Sequence, residues 1–436
     1  MPSPSVRFLL LSAALAITVQ TFRVVLIDYQ QNAYNYCQAQ FPHHHDYHPI
    51  PGGRLVQLQV LVRHGDRTPI DHLPEDVTWN CSLTHHNLLF SEHCVTGQLT
   101  SKGHLQHISL GQHLRQIYID KLHFLPENVT LSAMQNDQIL HARATDYPRT
   151  RQSARALLSG LYPAHTRLPD DPEEDWNDGK VPDFDVHWRS RDNDTMLPPM
   201  NCPRRSILFD RMMRHPQFLK YNKRRKAFRK DMDKIIGPPP ANYSRDSLIY
   251  ALDTLRTREC HHFPLPCSQK HSKKCITEHH LMRLTKYIRE ESQLLFRTLP
   301  QAAEYSRLGH GRLLAEITHH ILEHALGHDR RRPMRLFSAH DDTLFGMLGN
   351  LHAENINWPP YASNMQFELW EMLDGSGDMR VRIIYNGEPV HVKWCDMSQG
   401  CNLYKFVEFA KKQVPGDLDA ECRDLTLLEL DEVLIL

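Results

Sequence analysis

The sequence predicts a three-layer α/β domain with an α-rich cap inserted into it, and three observations carry that expectation. A run from Arg54 to Val62 passes from polar-apolar alternation to continuously apolar residues, as in a strand buried toward its C-terminal end. A second short apolar run, with Met334, Leu336 and Phe337, ends in Ser338-Ala339-His340-Asp341. Between Arg143 and His340 lie helical stretches and a segment of changed composition, which predicts an insertion at roughly 163–300.

The elements follow in chain order. Arg7 precedes the apolar stretch Phe8 to Ile17, so 1–27 reads as a signal peptide or a type II membrane anchor. Residues 28–53 are polar and histidine-rich without a clear period, and read as a stem; the domain proper is expected over 54–420, with 421–436 as a tail. After the first strand, Gly65 permits a tight turn and Pro69 stops the strand. Leu105, Ile108, Leu114 and Ile117 recur near helical spacing, with Thr100 or Ser101 as cap. Pro148 opens a helix that ends near Gly160. Beyond Pro163 the composition turns to Pro, Asp, Asn and Trp. From Arg204 to Lys230 basic residues crowd helical sequence; such a run is ordinarily one solvated face, and the alternative is that part of it steers a polyanion. Helical patterns resume over His279–Leu299 and Tyr305–Leu326. Phe367 to Leu373 and Met379 to Tyr385 alternate on either side of Asp374-Gly375-Ser376-Gly377-Asp378, a hairpin expected as an antiparallel edge to a mainly parallel sheet.

Composition narrows the class. With 436 residues, 41% of them hydrophobic and 23% charged, the chain can bury a large core and is not disordered. Its formal net charge is zero, so nothing global points to nucleic acid, although thirty histidines make it cationic in acid. The histidine pairs and the run His43-His44-His45 lack consistent ligand spacing, so no metal or other cofactor is expected. Ten cysteines in an exported chain imply disulfides. Cys81 with Cys94 and Cys395 with Cys401 bracket short loops; of Cys260, Cys267 and Cys275 at least one needs a distant partner, with Cys202 a candidate. A zinc site using His261 and His262 is the competitor. Asn-X-Ser/Thr sequons at Asn80, Asn128, Asn193 and Asn242 predict exposed loops.

The chemistry concentrates in Leu61-Val62-Arg63-His64-Gly65-Asp66-Arg67-Thr68-Pro69. Two guanidinium forks in one loop suit phosphate oxygens, and the histidine between them can attack phosphorus to give a phosphohistidine, with no metal needed. Ligands of open α/β sheets bind beyond the carboxyl ends of strands, where this loop is expected. At the second strand end, His340-Asp341 could cap a helix or supply a carboxyl acid for the leaving alkoxide.

Arg63-His64-Gly65-Asp66-Arg67-Thr68-Pro69 resembles the RHGxRxP signature of the histidine acid phosphatases. The likeness extends over Leu99 to Arg115, Arg143-Ala144-Thr145-Asp146 with Arg149-Thr150, Ser338-Ala339-His340-Asp341, Cys260 to Cys267, and Phe367-Glu368-Leu369-Trp370. It implies a phosphoglycerate mutase-like core, His64 as nucleophile, Asp341 as general acid, and Arg63, Arg67, Arg143 and His340 as phosphate-binding residues. The family more often has serine where this chain has Ala144. Within the family the likeness points to the branch acting on phosphorylated xylose in the glycosaminoglycan linkage region of proteoglycans, in the Golgi lumen. A broad-specificity lumenal or secreted acid phosphatase and a non-catalytic phosphate-binding protein are the alternatives. The resemblance is thin between Pro163 and Arg258, the expected substrate-facing cap.

Overall fold

The computed structural model describes residues 34–71, 96–168, 183–240, 247–268, 270, 274–329 and 331–425. The chain divides into two units, Met1–Tyr36 and Cys37–Leu436, and the second carries the fold. The expected signal or anchor segment, the Cys81–Cys94 pair and the sequons at Asn80 and Asn242 lie outside the described residues.

A mixed sheet of eight strands forms the middle layer. Its strands are β1 (Gly53–Arg63), β2 (Leu140–Ala144), β3 (His187–Trp188), β4 (Met334–Ala339), β5 (Asn364–Met372), β6 (Met379–Tyr385) and β7 (Cys401–Asn402), in the order β7-β6-β5-β1-β4-β2-β3, with Glu388–Pro389 beside β6. The half from β1 through β4 and β2 to β3 is parallel, and the half from β1 to β7 is antiparallel. The hairpin expected at the edge is therefore built into the sheet. β5 pairs directly with β1 and is buried along seven residues, so its apolar side chains require cover on both faces.

Strand alternation sorts the residues of β1 into two cores. Leu58, Val60 and Val62 pack with Leu110 and Leu114 of α1 (Ser101–Arg115) and with Leu157, Leu158 and Leu161 of α2 (Pro148–Leu161). Leu61 faces the opposite layer and shares a core with residues of the helices that follow the cap. On that face Gln57 and Gln59 are buried, and their amides donate to the carbonyls of His320 and Ile317 at 2.8 and 2.9 Å, which offsets the cost of burying them.

The insertion holds α3 (Pro203–Arg214), α4 (Pro216–Ile236), α5 (Ile249–Cys260) and α6 (Glu278–Gln293). The basic stretch is thus two helices parted at His215-Pro216, since proline can start a helix but not continue one. Lys223, Arg224 and Lys226 are exposed, whereas Arg225 is buried with its guanidinium 4.8 Å from the Tyr221 ring. The chain returns through α7 (Ala302–Ala325), which packs with β4 and α8 (Asp341–Asn350); α9 (Leu403–Gln413) covers the same face, and a short helix, Leu418–Arg423, follows it.

Thr100 is the cap of α1 and accepts from the Gly103 amide at 3.1 Å. The buried stripe of α1 runs through Gln106, His107, Leu110 and Leu114; Leu105, expected on that stripe, is 62% exposed. Glycines set the helix spacing. A Cβ on Gly111 would lie 2.0 Å from the Leu157 carbonyl oxygen, and one on Gly160 2.0 Å from that of Ile108, so α1 and α2 touch backbone to backbone.

The sequence reading of 28–53 as a stem fails for the described part from Cys37 onward. Cys37 is bonded to Cys260, Tyr47 donates to the buried Glu368 at 2.7 Å, and Arg382 donates to the His48 carbonyl at 2.6 Å. At the other end Cys422 is bonded to Cys202, so the first residues of the expected tail belong to the domain. The Cys395–Cys401 pair is present, and Cys267 pairs with Cys275. The distant partner required by the cysteine trio is Cys37, joined to Cys260, rather than Cys202. Asn128 and Asn193 are exposed.

Candidate active site

The parallel pairing of β1 with β4 and of β4 with β2 brings three carboxyl ends level, with Arg63 opposite Ala339 and Ala144 opposite Ser338. The chain leaves each strand at the same edge. The His64 amide donates to the Ala339 carbonyl at 3.0 Å and the Thr145 amide to that of Ser338 at 3.1 Å. His64 and His340 are thereby neighbours, their ring centroids 5.5 Å apart.

The loop after β1 is pinned by backbone bonds. Gly65 and Asp66 amides donate to Ser153 Oγ and Gln106 Oε1 at 3.1 and 2.8 Å, and the His107 Nε2 lies 3.0 Å from the Arg63 carbonyl. Gly65 is required by close approach rather than by an unusual turn: it has no positive φ, but a Cβ there would lie 2.3 Å from the Gly103 carbonyl oxygen. Gly103 reciprocates, its Cβ position being 2.2 Å from the Asp66 carbonyl oxygen.

His64 is buried, and its Nδ1 lies 2.8 Å from the Gly65 carbonyl. A carbonyl can only accept, so Nδ1 carries the proton and Nε2 keeps its lone pair, without a hydrogen-bond partner among the described residues. Burial, then the charges of Arg149, Arg63 and Arg67, hold this imidazole well below its ordinary pKa. The ring is therefore a neutral base at pH 7.

His340 occupies the cap position of α8, and its side chain makes no capping bond. Its Nε2 lies 2.8 Å from Thr145 Oγ1, and its Nδ1 receives a long contact of 3.5 Å from Arg149. Burial, then Arg149 and Arg67, also keep it neutral. Asp341 opens α8 and pairs with Arg63 at 2.7 Å, while Arg63 stacks 4.3 Å from the Tyr361 ring centre. Arg67 pairs at 2.9 Å with Asp253 of α5, whose second oxygen accepts from the Ile70 amide at 2.8 Å. From the end of the same helix, His261 meets the buried Asp66 at 2.5 Å, and Thr100 donates to that oxygen at 2.6 Å.

Five of the six residues expected from sequence converge here: Arg63, His64, Arg67, His340 and Asp341. Arg143 does not join them. Leu140 and Ala142 face α1 and α2, so strand alternation turns Arg143 to the other face. There it pairs with Asp194 at 2.7 Å and Glu316 at 2.8 Å and donates to Thr195 at 2.8 Å. The third guanidinium of the pocket belongs to Arg149, in the first turn of α2. Burial and Arg67 press its pKa down to about 10, and it remains charged. The signal was present in the sequence: Pro148 marks a helix start, and an arginine just after it sits beyond the strand ends. Thr145, Gln106, His107, Ser153, Asp253 and His261 carry no local pattern that announces them.

A family profile described as the histidine phosphatase superfamily (branch 2) matches residues 54–386. Counting factor 60 of Dictyostelium discoideum is 29% identical over 429 residues, covering 90% of this chain and 93% of its own length. Prostatic acid phosphatase of Bos taurus is 31% identical, covering 85% and 89%, and 2-phosphoxylose phosphatase 1 of Rattus norvegicus is 28% identical, covering 88% and 81%. Among solved structures, the phytase of Citrobacter braakii superposes with a TM-score of 0.58 at 18% identity, covering 85% of this chain and 99% of its own. That structural likeness speaks for the fold.

Proposed function

Because the chain belongs to branch 2 of the histidine phosphatase superfamily and is a phosphatase of the histidine acid phosphatase type, we propose that it hydrolyses phosphate monoesters through a phosphohistidine on His64. The carrying observation is the lone pair of a buried, neutral His64 amid the guanidinium groups of Arg63, Arg67 and Arg149. These three charges face two carboxylates, Asp341 and Asp253. A bound dianion with Asp341 protonated balances them.

In the proposed first step His64 Nε2 attacks phosphorus, the P–O ester bond breaks, and its electron pair leaves on the alkoxide oxygen as Asp341 delivers a proton. The arginines and His340 stabilise the equatorial oxygens. Phosphate also competes with Asp341 for Arg63, which frees the carboxyl to turn to the leaving oxygen. Water then attacks phosphorus, gives a proton to Asp341, and the N–P bond breaks to release phosphate and free His64.

For the substrate we propose phosphoxylose in the glycosaminoglycan linkage region, acted on in the Golgi lumen by a chain anchored through its N-terminus. A relative of that name aligned over 88% of this chain supports it, and the four disulfides among the described residues fit the secretory pathway. No helix among the described residues is long and apolar enough to cross a membrane. A broad lumenal acid phosphatase is the second reading, favoured by the 31% identity with prostatic acid phosphatase. Wild type and His64→Ala, with chelator present, are compared on a xylose-phosphorylated linkage oligosaccharide and on an aryl phosphate. Preference for the oligosaccharide, lost with His64, supports the first reading; high turnover of the aryl phosphate alone selects the second. Normal turnover of either by His64→Ala would sink the mechanism.

A further inference from the structure

At the far edge of the parallel half-sheet, away from the loops after β1 and β4, two imidazoles and a carboxylate meet. Asp137 lies in the turn before β2, His141 lies in β2, and His187 belongs to β3. β2 and β3 run parallel, with Arg143 opposite His187, so sheet register brings together residues about fifty positions apart. The two rings stack 4.7 Å apart at 16°, and Asp137 holds a positive φ of 52° that turns it back on them.

His141 Nδ1 lies 2.8 Å from Asp137 Oδ2, and His187 Nε2 lies 3.2 Å from the same oxygen and 3.4 Å from Oδ1. All three donor atoms fit within 4.8 Å of one another. In a tetrahedral shell with bonds of about 2.1 Å, neighbouring donors stand about 3.4 Å apart. Asp137 Oδ2 stands near that spacing from both ring nitrogens, and no pair among the three donors is more than 4.8 Å apart.

We propose that Asp137, His141 and His187 form a binding site for a borderline divalent cation of the zinc class, with the fourth position open to water. The donor set selects the ion: two nitrogens and one oxygen suit zinc, copper, nickel or cobalt, whereas calcium and magnesium require all-oxygen shells. His187 is half exposed and leaves an entry path, while Asp137 and His141 are largely covered and hold the geometry. The ion fastens β3, a two-residue strand at the sheet edge, to β2. β3 leads into Arg189, which pairs with Glu316 at 3.2 Å, and on to Asp194, which holds Arg143. The site is structural and stands apart from the phosphate chemistry.

Zinc is titrated into the tagless full chain, stripped of metal, by calorimetry, with thermal unfolding in parallel and cobalt absorption as a coordination readout. The expected result is one tight equivalent, a rise in Tm of a few degrees at about 100-fold excess over Kd, and a tetrahedral cobalt spectrum. His141→Ala and His187→Ala should each weaken that equivalent more than about 100-fold and abolish the shift, while aryl phosphate turnover with chelator persists. His187 is the more exposed, so its variant answers even if His141→Ala folds poorly. An unchanged tight equivalent in the His187 variant, or none in wild type, overturns the site.

Discussion

The assignment of the third phosphate-holding guanidinium to Arg149 is open to a paired test, Arg149→Met against Arg143→Met. Each charge-assisted hydrogen bond contributes about 1.5–3 kcal/mol, so a guanidinium that grips phosphate with two of them contributes about 3 kcal/mol once its repulsion from Arg67 is discounted. Arg149→Met should therefore raise the inhibition constant of inorganic phosphate, and lower kcat/KM, on the order of 10²-fold. It should also move the acid limb of the pH profile upward, because Arg149 is the largest charge depressing His64 and His340. Loss of that charge lets His64 take a proton at higher pH. Arg143→Met has a different signature. It strips the buried Asp194 of its guanidinium partner, while Glu316 keeps Arg189, a loss of about 3–5 kcal/mol that lowers Tm by about 5 °C. Phosphate affinity of the molecules still folded should stay within about threefold. Steady-state kinetics with phosphate as inhibitor and calorimetric unfolding read both effects. Weakened phosphate binding in Arg143→Met and not in Arg149→Met would refute the assignment.

Asp341→Asn should slow sugar and alkyl phosphates by about 10²–10⁴-fold and aryl phosphates much less, since a good leaving group needs no proton; equal slowing would remove Asp341 from the acid role. Gly65→Ala forces a Cβ to 2.3 Å from the Gly103 oxygen, and a loop displaced by about 1 Å should cost on the order of 10² in kcat/KM; retention of half the activity would contradict that packing. His107 and His310 are buried and their pKa values lowered by burial to about 3. Below about pH 6.5 the unfolded chain protonates both while the folded chain does not, so stability falls as pH drops from 6.5 toward 3, by about 2 kcal/mol for each residue at pH 5. Urea unfolding of His310→Asn should show this acid slope reduced by about one proton; an unchanged slope between pH 6.5 and 5 counts against a neutral His310.

Legibility in the sequence followed the range of the interaction. Arg63, His64 and Arg67 lie within one loop, and His340-Asp341 end a second apolar run, so strand ends alone predicted a shared edge; parallel register then made them neighbours. The choice between Arg143 and Arg149 needed one more inference from the same stretch. Alternation in β2 assigns Arg143 to a sheet face with Glu316, and Pro148 lifts Arg149 onto a helix start above the carboxyl edge. The hairpin was visible as a hairpin, but its place beside β1 was not, because strand order is decided by which faces remain to be covered.

The residues that sequence left silent share a cause. Asp253 and His261 come from the cap and act on Arg67 and Asp66, nearly two hundred positions away. The Cys37–Cys260 bond ties the segment before β1 to the end of the helix that carries them. Together these make the cap a brace for the phosphate loop, not only a wall facing substrate. The insertion expected from sequence only to face substrate also delivers a carboxylate to Arg67 from Asp253. A guanidinium paired in this way is held in place before phosphate arrives. Substrate choice can then vary along the exposed helices of the insertion while the brace keeps the geometry of the chemistry constant.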